Sequence, residues 1–248
     1  MYAAGLTDVG VTRSQNQDAI FVHNQPIGPL PNLFIVADGM GGHKAGDVAS
    51  KLAVETFTEF IRKFPAQDFV QAENFLDLLV SAAQSAGKAV STKAESDEAM
   101  SGMGTTLTAC VITNEKVFIV HIGDSRAYIV NLHGMRQLTT DHTFVNELLQ
   151  TGRVSEEEAK SHPKRHVLTK VLGVPGVLEV DGIVREIGDA AAILLCSDGL
   201  SNMLEEDSMM RIINGLGYVE HRTKYLIDEA NKKGGTDNIS AVLIDVGR

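Results

Sequence analysis

The sequence has few of the residues that cross-link a chain or anchor it in a membrane. Its 248 residues include only two cysteines, Cys110 and Cys196, too few for a disulfide framework or a four-cysteine zinc site. Both lie in apolar, β-prone runs typical of packing thiols, and a reducing compartment is the simplest fit. The apolar run 190–196 is far shorter than the ~20 residues of a membrane span. The first residues lack the basic and apolar regions of a signal peptide, so we expect a cytoplasmic protein.

Basic residues are also scarce. Lys and Arg number 22 against 32 Asp and Glu, which gives a formal net charge of −10. This balance argues against a nucleic-acid partner, because binding to the phosphate backbone needs clustered Lys and Arg. The hydrophobic share of 44% excludes a disordered chain. The acidity has two explanations, ordinary solubility or carboxylates gathered to hold cations, and composition does not separate them.

Hydrophobic periodicity predicts strands, then two long helices, then many strands, two short helices and a final strand. The predicted strands cover 2–7, 19–22, 33–37, 105–113, 116–122, 127–131, 135–138, 179–185, 191–197 and 239–246, and the predicted helices lie near 53–64, 76–90, 207–215 and 219–233. Most connections between strands are short enough for antiparallel pairing, so the order predicts an α+β layered sandwich. No repeat or linker interrupts the sequence, and we expect a single domain over residues 1–248.

Five aspartates follow or precede predicted strands, and glycines flank four of them. They are Asp18, Asp38, Asp124, Asp198 and Asp237. One Asp–Gly pair is most simply a turn, but five carboxylates at the strand ends of one sandwich would repel unless a cation lies among them. An oxygen-only ligand set suits Mg²⁺ or Mn²⁺ rather than zinc. Two such ions can activate a water, which points to chemistry on phosphate esters.

Seven motifs spread over residues 5–244 carry a family resemblance. They are GLTDVGVTRSQNQD (5–18), VADGMGGHKAGDVAS (36–50), MGTTLTA (103–109), HIGDSRAY (121–128), DHT (141–143), LLCSDGL (194–200) and GGTDNISAVLI (234–244). In this order they resemble the motifs of the metal-dependent (PPM, type 2C) Ser/Thr protein phosphatases, especially the bacterial members. One of these motifs alone would be a weak signal, whereas the set is specific.

The resemblance implies a four-layer αββα sandwich, with two antiparallel β-sheets flanked by helices and a binuclear Mn²⁺ or Mg²⁺ centre at one end. By motif position, Asp38 would bridge the two ions and the Gly39 carbonyl would ligate one of them. Asp198 and Asp237 would ligate the other ion. Asp18 would contact the centre through a metal-bound water.

The remaining implied roles concern a third ion, the phosphate and the proton. Asp124 would join Asp198 in a weaker third metal site. Arg13 matches the arginine that binds the substrate phosphate, which a guanidinium can hold through two oxygens. His43 is either the general acid that protonates the leaving alkoxide or a loop residue that fixes the glycine turn. His166 is the alternative general acid or a substrate contact.

The resemblance also implies a flap beside the active site at 143–166, within which Glu156, Glu157 and Glu158 are expected to be a solvated helix face. We expect Arg126 to form a structural ion pair, Thr105 and Thr106 to be structural, and Asn238 to orient the Asp237 carboxylate or its loop.

Together these features predict a phosphoprotein phosphatase in which a metal-bridging hydroxide attacks phosphorus without a phosphoenzyme intermediate. The expected partners are phosphorylated proteins and a Ser/Thr kinase, and a monomer is the default state. A metal-dependent phosphatase of a small phosphorylated metabolite and a non-catalytic pseudophosphatase are the alternatives. Loss of a metal aspartate would indicate the latter, and none is lost.

Overall fold

A computed structural model describes residues 1–42, 45–64, 74–174 and 178–246, the side chain of Lys160 excepted. Within these ranges two antiparallel β-sheets carry the fold. The first sheet has the order β1-β11-β10-β7-β8, with bounds β1 Tyr2–Asp8, β7 Arg126–Val130, β8 Met135–Gln137, β10 Ala192–Cys196 and β11 Ile239–Asp245. The central strand β10 and its neighbour β11 lie side by side from Ala192↔Asp245 to Cys196↔Ala241.

The second sheet has the order β2-β3-β5-β6-β9, and a short strand, β4, pairs with the end of β3. The bounds are β2 Asp18–His23, β3 Leu33–Met40, β4 Gly104–Thr105, β5 Leu107–Ile112, β6 Lys116–Ile122 and β9 Asp181–Glu186. The continuous strand predicted over 105–113 is therefore divided at Thr106. The reason is local: the Asp38 N–H bonds to the Thr106 side-chain oxygen, at 2.9 Å, instead of to a backbone carbonyl.

Helices cover the outer face of each sheet. The long pair α1 (Ala45–Lys63) and α2 (Phe75–Ser96) packs on the second sheet, and α6 (Glu206–Ile213) and α7 (Val219–Lys232) pack on the first. Three short helices lie between them in sequence, namely α3 (Phe144–Gln150), α4 (Glu156–Ser161) and α5 (Asp198–Ser201). The α1 helix begins eight residues before the first apolar position that marked it in the sequence, because its first turns pack through the small residues Ala45, Gly46 and Ala49.

The alternating direction of side chains along each strand explains the four layers. In β3, Leu33 and Ile35 face the helices, whereas Phe34 and Val36 face the other sheet. Because successive side chains of a strand point to opposite faces, a strand buried on both faces reads as a continuous apolar run. The four-layer αββα sandwich is thereby confirmed.

Both cysteines are buried and free, as the sequence predicted. Cys110 lies between the two sheets, and Cys196 faces the helices of the first sheet. Burial raises the pKa of the Cys196 thiol to about 12, so this thiol is unreactive at neutral pH. No helix among the described residues is long and apolar enough to cross a membrane.

Candidate functional site

The five aspartates predicted from the sequence meet at one end of the sandwich. Asp18 and Asp38 lie directly opposite each other on β2 and β3. Asp198 follows β10 and begins α5, and Asp237 lies just before β11. Because β10 and β11 are antiparallel neighbours, the end of one and the start of the other share an edge of the first sheet. Asp124, between β6 and β7, completes the group.

The carboxylates of this group, which we call the aspartate cluster (Asp18, Asp38, Asp124, Asp198 and Asp237), lie close enough to repel one another. Burial raises the pKa of Asp38 well above its ordinary value, and the charges of the other four cluster members raise it further. Burial likewise raises the pKa of Asp18 to about 7 and that of Asp124 to about 8, and in both cases the charge of Asp198 adds to the rise. An ionised cluster is therefore costly without a cation.

Two buried oxygens of the aspartate cluster lack any hydrogen-bond partner. The Oδ2 atom of Asp18 accepts hydrogen bonds from Ser197 (2.8 Å) and Ser240 (2.6 Å), but its Oδ1 atom has no hydrogen-bond partner. The Oδ1 atom of Asp198 is also buried without a partner. In the part of the chain that the structure describes, no three His, Cys, Asp or Glu side chains form a group that could hold a metal ion as they stand. The orphaned oxygens and mutual repulsion nevertheless fit an oxygen-liganded divalent cation.

The backbone at Asp38 is held from both sides. Besides the bond from its N–H to Thr106, its carbonyl accepts from the Thr105 hydroxyl at 2.9 Å. The next residue must be glycine, since a Cβ atom on Gly39 would lie 2.0 Å from the carbonyl oxygen of Gly46. This close approach of α1 to β3 explains the small residues in VADGMGGHKAGDVAS. Thr105 and Thr106, expected to be structural, therefore position the central carboxylate of the cluster.

Arg13 contacts the aspartate cluster directly. Its Nη2 atom lies 2.9 Å from Asp237 Oδ2, in an ion pair whose side chains are 52% and 36% exposed. Asn238, expected to orient the Asp237 carboxylate or its loop, contacts Asp237 through its backbone and not through its side chain. Its backbone N–H donates to Asp237 Oδ1, while its side chain donates to the Val9 and Gln15 carbonyls. Asn238 thus fastens the loop that carries Arg13 to the end of the sandwich.

Arg126 forms a structural ion pair, as expected. Its guanidinium makes three hydrogen bonds of 2.7–3.0 Å to the carboxylate of Asp141, and a fourth to the Tyr128 hydroxyl. The pair is mostly buried, which distinguishes it from the exposed pair of Arg13.

Sequence reasoning assigned no role to His142, although it lies in the DHT motif. Its Nδ1 atom accepts the Gly123 N–H at 3.1 Å, so the proton of the neutral ring is on Nε2, which bonds to Asp181 at 3.1 Å. Its backbone carbonyl, just before the predicted flap (143–166), accepts from the N–H of Thr169, just after that segment. His142 thereby ties the residue before Asp124 to β9. Ser197 and Ser240 were missed as well, and no local pattern distinguishes such hydroxyls from ordinary strand residues.

Two candidate histidines remain. His43 lies outside the described residues. His166 is exposed. Burial raises the pKa of Asp198, and a positive charge on His166 would lower it, which places His166 near the cluster. In the segment 143–166, Thr143 caps α3 and Ser155 forms a capping box with Glu158 at the start of α4. Glu156, Glu157 and Glu158 are exposed, as expected for a solvated helix face. That this segment acts as a flap stays a prediction.

Comparisons with known proteins agree with this geometry. The family model described as Protein phosphatase 2C matches residues 11–233. The Serine/threonine phosphatase stp of Listeria monocytogenes is 41% identical over 249 residues, which cover 99% of this chain and 96% of that protein.

Two solved structures extend the likeness to the fold. A crystal structure of a bacterial serine phosphatase superposes with a TM-score of 0.92 at 30% identity, covering 100% of this chain and 99% of that one. The catalytic domain of the serine/threonine protein phosphatase PstP in complex with 2 manganese ions has a TM-score of 0.82 at 32% identity, covering 98% and 97%. The chain therefore belongs to the protein phosphatase 2C family and is a hydrolase of that family.

Proposed function

We propose that this enzyme hydrolyses phosphoserine and phosphothreonine in proteins, with two Mn²⁺ or Mg²⁺ ions bound at the aspartate cluster. The observation that carries the proposal is the convergence of five carboxylates, two with orphaned buried oxygens, at the end of the sandwich where Arg13 lies. The manganese-bound relative and the names of the relatives support it.

The ligand roles implied by the motifs suit the positions of the residues. Asp38 and the Gly39 carbonyl, at the end of β3, would hold one ion, with Asp38 shared between both. Asp198 and Asp237 would hold the second ion, and Asp18 would hold a bound water. Asp124 with Asp198 would form a weaker third site. When bound, such ions activate a water for attack on phosphorus.

Arg13 supplies the positive group that the cluster itself lacks. Its exposed guanidinium can hold two phosphoryl oxygens and stabilise their charge as the P–O bond breaks. The Asp237 carboxylate keeps it at the edge of the cluster until substrate arrives. His43 or His166 would protonate the leaving Ser or Thr oxygen. Replacing each by Asn would assign this step, because loss of the general acid removes the alkaline limb of the pH–rate profile.

The test is hydrolysis of a phosphothreonine peptide by the wild-type enzyme with and without added Mn²⁺. Asp38→Asn should abolish the activity, and Asp228→Asn, the same chemical change on the exposed surface of α7, should leave it unchanged. Full activity in excess EDTA, or in the Asp38→Asn variant, would refute the proposal. Turnover of small phosphorylated metabolites above that of phosphopeptides would favour the metabolite alternative, and calorimetry without Mn²⁺ binding would favour a pseudophosphatase.

We further propose a cytoplasmic monomer of one domain, acting on substrates of a Ser/Thr kinase. The free, buried cysteines support a reducing compartment. Size-exclusion chromatography with light scattering tests the monomer.

A further inference from the structure

A groove outside the aspartate cluster begins at Arg13. It has a volume of about 590 Å³, within the range of ligand sites. One wall, the loop wall, is the β1–β2 loop with Ser14 and Gln15. Another, the turn wall, is formed by Ala99 and Met100 of the short 3₁₀ turn Glu98–Met100 after α2. Gly41, after β3, and Ala45, at the start of α1, also line it. Because Arg13 contacts Asp237 at 2.9 Å, the groove opens directly onto the proposed reaction site.

Both walls are fixed independently of any ligand. Asn238 anchors the loop wall, since its side chain donates to the Gln15 carbonyl and accepts from the Gln17 N–H. Asp97 holds the turn wall, because its carboxylate accepts from the Ala99 N–H at 3.1 Å and bonds to Lys93. A groove between two anchored walls needs no rearrangement to accept a ligand, which lowers the entropic penalty of binding.

The chemistry of the two walls differs. Ser14 and Gln15 present exposed hydroxyl and amide groups, whereas Ala99 and Met100 present apolar surface. An extended peptide suits both walls, because its backbone N–H and C=O groups need polar partners and its side chains alternate in direction. Arg13 is the one charged residue among the described residues that line the groove, and it lies at the end where a phosphate would be held.

We propose that this groove binds the polypeptide that flanks the phosphorylated Ser or Thr, and that Ala99 and Met100 select an apolar side chain beside the phosphoresidue. The inference rests on the proposed function and adds to it a basis for substrate choice. A small phosphate ester would engage Arg13 but has no flanking polypeptide to place against Ala99.

The experiment compares Ala99→Trp with Ala99→Ser, a control of nearly equal size. Ala99 is exposed and its side chain supports no hydrogen bond, so neither change should unfold the turn. With Mn²⁺ present, Ala99→Trp should lower kcat/KM for a phosphothreonine peptide about tenfold, mainly through KM, while p-nitrophenyl phosphate is hydrolysed as by wild type. Ala99→Ser keeps the size of the side chain, so its effect on the peptide should be far smaller than that of Ala99→Trp.

Two further peptides test the selectivity. Wild type should prefer Leu over Asp beside the phosphothreonine, and Ala99→Trp should remove that preference. If Ala99→Trp lowered kcat/KM equally for the peptide and for p-nitrophenyl phosphate, or for neither, peptide binding in the groove would be refuted while the proposed function stayed intact. A wild-type enzyme that hydrolyses neither substrate with Mn²⁺ would instead refute the proposed function.

Discussion

The metal-free enzyme should become more stable when Asp18 loses its charge. Asp18 is 4% exposed, and its Oδ1 atom has no hydrogen-bond partner. Burial raises its pKa from 3.8 to about 7, although hydrogen bonds from Ser240 and Ser197 oppose the rise. A pKa raised in the folded state means that folding is favoured when the group is protonated. The stabilisation is fully present below pH 3.8 and is lost as the pH rises through about 7.

The magnitude follows from that rise. It corresponds to about 4 kcal/mol between the protonated and ionised forms. Asp18→Asn removes the ionisation, but the new amide has donors without an acceptor at the orphaned position, which costs about 1–3 kcal/mol. Near pH 8 the variant should therefore have a free energy of unfolding about 1–3 kcal/mol above wild type. Near pH 4 most of this stabilisation is still present, because the carboxyl of the unfolded chain is itself partly protonated, and the variant should be no more stable.

The assay is urea denaturation in EDTA, followed by far-ultraviolet circular dichroism because the chain has no tryptophan. Asp228→Asn, on the exposed surface, is the control and should show no such pH dependence. Adding Mn²⁺ near pH 8 should stabilise wild type more than Asp18→Asn, since the cation compensates the buried charge. A difference between Asp18→Asn and wild type that is the same at both pH values, or a less stable variant near pH 8, would refute the reasoning.

Three further measurements probe the surroundings of the cluster. Arg126→Met leaves the mostly buried Asp141 without its partner and should lower the free energy of unfolding, measured by urea denaturation, by about 3–5 kcal/mol. The double variant with Asp141→Leu should recover much of this loss. Arg13→Ala breaks a half-exposed pair and should change stability by less than about 1 kcal/mol, yet raise KM for a phosphopeptide at least about tenfold in steady-state assays; an unchanged KM would contradict its phosphate role. Burial lowers the pKa of His121 from 6.5 to about 4, so the native state resists protonation of this ring. The stability that the neutral ring contributes is fully present above pH 6.5 and is lost as the pH falls through about 4. Wild type should therefore lose about 3 kcal/mol more than His121→Asn between pH 7 and pH 4 in denaturation curves, and parallel losses would count against this explanation.

The sequence was most informative where one local requirement forces a residue type. Gly39 is such a position, because α1 approaches β3 so closely that no Cβ atom fits. The continuous apolar runs of β3 and β10 are another, since burial on both faces leaves no polar position. The short helix α5 was missed because its four residues are too few to show a helical period.

Contacts between distant parts of the chain were beyond sequence reasoning. Ser197 and Ser240 bond to Asp18 across 179 and 222 positions, through the pairing of β10 and β11 at the end of the sandwich. A serine in a strand has many possible partners, and only the register of the sheets selects one.

By itself, then, the sequence determined the layered α+β fold, the family and the five aspartates, because strand periodicity and motif spacing are local properties of the chain. The tertiary structure alone decided that these carboxylates meet with unpaired buried oxygens, that Arg13 pairs with Asp237 224 positions away, and that a groove leads from that pair. The physical reason is that charge repulsion, burial and cavity shape depend on distances between residues, which exist only after the sheets have paired and stacked.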